Sequence, residues 1–138
     1  GGRLDPGETP EQAALRELAE ELGTSPPELR LLGRLTPLHI SRSDFVVQPV
    51  VGACARRPPF RPDPTEVALL IEVALDDLLD PARRHREPFA HATGPRTVPF
   101  FAHDGHRIWG ATAMVLAELA AVWSSIVPQP RPERTHDP

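Results

Sequence analysis

Glu17, Glu20 and Glu21 stand within five residues of one another, directly after Arg16, and a glycine-rich turn precedes them at Gly2 and Gly7. Carboxylates crowded on one helical face repel each other unless a cation neutralises them. Hard divalent cations such as Mg2+ and Mn2+ take oxygen ligands of this kind. Glycines in the preceding turn let the loop fold closely around the start of the helix. The chemistry open to such a group is attack of water on phosphorus: a bound cation polarises phosphate oxygens and lowers the pKa of a coordinated water. A bare Glu-x-x-Glu-Glu would be read as a solvated acidic face, because exposed glutamate is ordinary. The wider pattern around it decides otherwise.

A helix must position these groups. Thr9 suits the N-cap, Pro10 the first helical position, and Gln12 the place where a capping box wants Glu or Gln. Gly23 can take positive φ and stop the helix. Leu15, Leu18 and Leu22 recur at helical steps and predict a buried stripe, with the three glutamates on the opposite face. Arg16 lies four residues before Glu20 and can pair with it.

The chain has 138 residues, enough for one domain with a core, and a formal charge of −4, which gives no nucleic-acid footprint. The single cysteine, Cys54, excludes an intrachain disulfide framework and a cysteine-based zinc cluster; it is expected to be buried and inert. No apolar run is long enough to span a membrane and no signal peptide is visible, so a cytoplasmic protein is expected.

Beyond residue 23 the pattern predicts short strands at residues 29–35, 45–55 and 67–74, with Pro49 marking a bulge or an unpaired edge position. Residues 57–64 carry four prolines and read as a loop. A short helix is expected at 75–79, an irregular stretch at 83–95, and a hairpin of residues 97–101 and 106–109 around Asp104-Gly105. A final helix over 111–126 should bury Leu116, Leu119, Trp123 and Ile126. Residues 1–127 are thus expected to form the domain and 128–138 a disordered proline-rich tail. Helices alternating with strands imply an α/β protein with a mixed sheet between helices.

The run from Gly2 through Glu8 to Arg16-Glu17-Leu18-Ala19-Glu20-Glu21-Leu22-Gly23 resembles the signature box of the Nudix hydrolases. Thr24 departs from it, where the family usually has an aliphatic residue. The resemblance implies an α/β/α sandwich whose first strands precede Gly1, and an enzyme that cleaves nucleoside diphosphates linked to another group. It implies that Glu17, Glu20 and Glu21 hold Mg2+ or Mn2+, that Glu8 and Arg16 orient them, and that Gly2 shapes the loop. A further carboxylate outside the box often acts as ligand or general base in the family. Glu66 is the candidate here, with a solvated loop residue as its plain alternative, and Glu72 is a weaker choice.

Val98-Pro99-Phe100-Phe101, the stretch from His106 to Ala113, Gln48-Pro49-Val50-Val51-Gly52 and Asp63-Pro64-Thr65-Glu66-Val67 are similar to the coenzyme A pyrophosphatase branch. Their large apolar residues also fit plain core packing. Arg42, Arg56 and Arg57 could meet a 3′-phosphate, although solubility explains them as well. His103 and His106, on either side of the turn, are expected to be exposed. The implied reaction is hydrolysis of coenzyme A or acyl-coenzyme A to adenosine 3′,5′-bisphosphate and 4′-phosphopantetheine or its acyl form. ADP-ribose, dinucleotide polyphosphates and nucleoside triphosphates are alternative substrates, and a nucleotide-binding module without turnover is an alternative of another class. The expected partner is a small nucleotide, not a nucleic acid or a membrane, and both a monomer and a homodimer are compatible with the sequence.

Overall fold

The computed structural model describes residues 1–41, 43–89, 94 and 96–127. Helix α1 runs from Pro10 to Leu22, as its caps dictate. The Thr9 hydroxyl accepts from the Gln12 N–H at 3.3 Å, and the Gln12 side chain accepts from the Thr9 N–H at 2.8 Å. Gly23 closes the helix at φ 58°. The backbone N–H groups of Arg61 and Asp63 then donate to the Leu22 and Glu21 carbonyls, each at 2.8 Å. Those carbonyls have no partner inside the helix, so the proline-rich loop completes its C-terminal end.

Strands follow as β1 (Arg30–Arg34), β2 (Leu38–Ile40), β3 (Phe45–Val47) and β4 (Val50–Ala53). β1 pairs with β4 and β2 with β3, both antiparallel. The continuous strand expected over residues 45–55 is therefore two strands in two sheets, parted at Gln48-Pro49. Proline has no N–H to give a ladder, and the Pro49 carbonyl instead accepts from the Leu35 N–H at 3.1 Å. β3 is exposed, not buried. Residues 67–74 form no strand. Val73 instead packs against a hydrophobic cluster in the second half of the chain.

That half contains α2 (Leu75–Leu79), a 3-10 turn (Pro81–Arg83), β5 (Arg84–Phe89), β6 (Arg96–His103), β7 (His106–Trp109) and α3 (Gly110–Ile126). β5, which the sequence reads as irregular, pairs along its whole length with β6. Asp104 and Gly105 join β6 to β7 with φ of 47° and 78°, the positive pair that a two-residue hairpin turn requires. Leu78, Phe101, Ala113 and Ala120 form the core, flanked by Ile108 and Leu116. Ile126 is exposed, against expectation, because the closely packed face of α3 runs through its alanines. His103 is buried, also against expectation, with Asp77 Oδ2 3.4 Å from Nδ1.

The α/β class holds. The described strands pair only antiparallel, in three small sheets, where one mixed sheet was expected. β2–β3 and β6–β7 are joined by short connections, which permit only that sense. The described residues group into two compact units, one within Gly1–Glu72 and one from Val73 onward. The expected tail, 128–138, lies outside the described residues. No helix among the described residues is long and apolar enough to cross a membrane.

Candidate active site

Gly1–Glu72 holds every residue of the box. The leucine stripe of α1 differs from expectation: Ala13 is buried, Leu18 and Leu22 are half-buried, and Leu15 is exposed. Glu17 and Glu21 do not face away from the leucines. They line a cleft of about 880 Å³ together with Leu18, Leu22, Phe45 and Val47. The helical repeat explains this. Residues four apart form rows, and the Glu17–Glu21 row runs beside the Leu18–Leu22 row. Glu20 falls on the solvent side, with its side chain 56 % exposed.

Arg16 ties the group together. Its Nε lies 3.0 Å from Glu8 Oε1 and its Nη2 3.1 Å from Glu8 Oε2, a two-pronged contact. Nη1 donates to Glu17 Oε1 and, at 3.0 Å, to Glu20 Oε2. Nη2 also donates to the Arg3 carbonyl at 2.9 Å. Hydrogen bonding to Glu8 and then Glu17 drives the Arg16 pKa further up. The same contact, with a bond from the Asp5 N–H, holds the Glu8 carboxyl below its ordinary value. The sequence spacing foresees the Arg16–Glu20 pair but not the Glu8 contact, which depends on how the loop before the helix folds.

Gly2 is packed so closely that a Cβ there would stand 2.2 Å from Glu17 Oε1. Glu17 and Glu21 line the same cleft, and their hard oxygens suit Mg2+ or Mn2+. Glu20 is turned to Arg16. Among the described residues no three acidic, histidine or cysteine side chains converge closely enough to hold an ion. Glu17 and Glu21 share the cleft, and Glu20 stands beside them on the solvent side.

Glu66 is exposed in a turn three residues past Asp63, whose N–H is bound to the end of α1. Glu72 is engaged by Arg57, whose Nε donates to Oε2 at 2.7 Å, and this contact lowers the Glu72 pKa. Arg56 pairs with Glu28. Two of the three arginines considered for phosphate binding, Arg56 and Arg57, are thus occupied by carboxylates, and the third, Arg42, lies outside the described residues. Thr24 is buried, as the usual aliphatic residue would be. Cys54 is half-buried just beyond β4.

A family model for the NUDIX domain matches residues 1–92. The chain belongs to the Nudix family. It is 33 % identical over 121 residues to an uncharacterized Nudix hydrolase NudL of Photorhabdus laumondii, covering 87 % of this chain and 64 % of that protein. The same name is carried by a Pectobacterium atrosepticum protein, 35 % identical over 109 residues, covering 79 % and 56 %. A Yersinia pestis protein of that name is 33 % identical over 121 residues, covering 87 % and 60 %. This Nudix chain therefore spans less than two thirds of the length of these relatives. Its box glutamates, Arg16 and Gly2 all fall within the matched segment.

Proposed function

We propose that this Nudix chain carries the metal-dependent hydrolytic site of a pyrophosphatase acting on coenzyme A or acyl-coenzyme A. The observation that carries the reading is the pair Glu17 and Glu21 lining one open cleft, with Arg16 bracing Glu17. The stretches at 98–101 and 106–113, which resemble the coenzyme A branch, favour that substrate class.

A divalent cation, when bound, supplies charge stabilisation of the phosphate oxygens and a more acidic water. The chain's own residues do the rest. Glu17 and Glu21 would hold the cation, with Glu20, one turn away on the same helix, as a further ligand. Arg16, anchored on Glu8, keeps Glu17 in place and cannot lose its proton near neutral pH. Glu66 is proposed as the base that takes the proton from the attacking water. The apolar cleft wall of Leu18, Leu22 and Val47 keeps bulk water from one side of the pair.

A second reading, a nucleotide-binding module without turnover, draws on the pairing of Glu17 and Glu20 with Arg16, which already offsets their charge. Incubating the full chain with Mg2+ or Mn2+ and coenzyme A, ADP-ribose or diadenosine polyphosphate separates the readings. Release of 4′-phosphopantetheine from coenzyme A, identified by mass spectrometry and well above the other rates, is the expected result. Turnover of ADP-ribose alone would keep the hydrolase and discard the branch. Nucleotide binding without turnover would favour the module.

A further inference from the structure

We propose that Phe45 is a positioning residue for the glutamate pair, acting through Arg3; this rests on the metal-binding reading above. The Arg3 guanidinium lies over the Phe45 ring, 4.6 Å from its centroid. The Arg3 carbonyl accepts from Arg16 Nη2 at 2.9 Å. The residue before it, Gly2, is packed against the Glu17 carboxylate. One short segment therefore touches Arg16 and Glu17 on one side and Phe45 on the other.

Residues 1–5 have no helix or strand pairing to hold them. The contacts named above tie this segment to α1 and to β3. Phe45 opens β3, paired with Ile40 in a hairpin that supplies a fixed platform. It is 41 % exposed, so its ring is more than core filling. A cation over an aromatic face is attracted by the ring's electron density, and that attraction is lost with an aliphatic side chain of similar bulk. Phe45 thus straps the loop, and the loop sets how Glu17 and Arg16 meet a cation.

The test titrates Mn2+ into the full chain and counts free ion by electron paramagnetic resonance, for the parent, Phe45→Leu, Phe45→Trp and Arg3→Met. A cation–π contact at an exposed site corresponds to about a two- to fivefold change in affinity. Phe45→Leu should weaken Mn2+ binding by that factor, and Phe45→Trp should restore it. In the Arg3→Met background, Phe45→Leu should have no further effect. Parent-like binding by Phe45→Leu, or additive losses in the double variant, would overturn the strap. A metal-free readout keeps the two readings apart. The Glu17 carboxyl carbon and the Arg16 Nε–H resonances should move in Phe45→Leu and return in Phe45→Trp. A parent that binds no Mn2+ would remove the metal reading, and these resonances would still decide the strap: unmoved, they overturn it.

Discussion

Gly2 leaves no room for a side chain against Glu17: a Cβ would stand 2.2 Å from the carboxylate oxygen. Gly2 is not in the left-handed region, so its role is close approach and not backbone freedom. Gly2→Ala must push Glu17 or the loop aside. Mn2+ affinity and kcat should both fall, while far-ultraviolet circular dichroism stays that of the parent. Unchanged Mn2+ binding would show that the loop can retreat without disturbing Glu17.

Arg16→Lys keeps the charge and loses the fork. A lysine ammonium cannot bind both oxygens of Glu8 while reaching Glu17 and Glu20. Loss of a group that orients metal ligands costs about 10- to 100-fold in affinity or activity. A fall in kcat of that size is expected, and a parent-like rate would mean that Glu17 needs no brace.

Glu17→Gln and Glu20→Gln should differ. Glu17 is 14 % exposed and faces the cleft, whereas Glu20 is 56 % exposed and bound to Arg16. Both substitutions should lower turnover by about 10²-fold or more if charge stabilisation carries the rate. Glu17→Gln should also weaken Mn2+ binding more than Glu20→Gln. Equal losses would mean that Glu20 swings fully into the ligand set when the ion binds.

Acid stability has a specific contributor. Arg34 grips Glu11 with contacts of 2.6 and 2.8 Å, and this hydrogen bonding lowers the Glu11 carboxyl from 4.5 to about 2. The unfolded chain then binds this proton more readily than the folded one. The stabilisation is fully present above pH 4.5 and is lost as pH falls through about 2. Glu11→Gln should remove that portion of the acid dependence, read as urea midpoints measured across this interval. An identical pH profile in the variant would count against the Arg34 contact.

What could be read from the sequence was what is settled locally. The Thr9–Gln12 capping box, the Gly23 stop and the Asp104-Gly105 turn each depend on a few neighbouring residues, and each stands where expected. β5 was hidden because Arg84-His85-Arg86-Glu87-Pro88-Phe89 has no apolar alternation; only pairing with distant β6 makes it a strand. Residues 67–74 misled in the other direction, since an apolar run has no fixed period to separate strand from packed coil. At the site, helical spacing foresaw Arg16 beside Glu20. It could not foresee Arg16 gripping Glu8 or Arg3 lying over Phe45, because both contacts close through loop and hairpin geometry.

The loop that ends on Arg61 and Asp63 also bears on how this molecule tolerates insertion and cleavage. Its prolines already restrict the unfolded chain, so holding it against the end of α1 sacrifices little freedom. The segment therefore works as a splint and not as a tether. Extra residues grafted at 61–63, or a protease cut there, would bare the Glu21 and Leu22 carbonyls and loosen the turn of helix that carries Glu21. A peptide tag belongs elsewhere, and slow amide-hydrogen exchange at Arg61 and Asp63 would report, from outside the cleft, that the glutamate helix is intact.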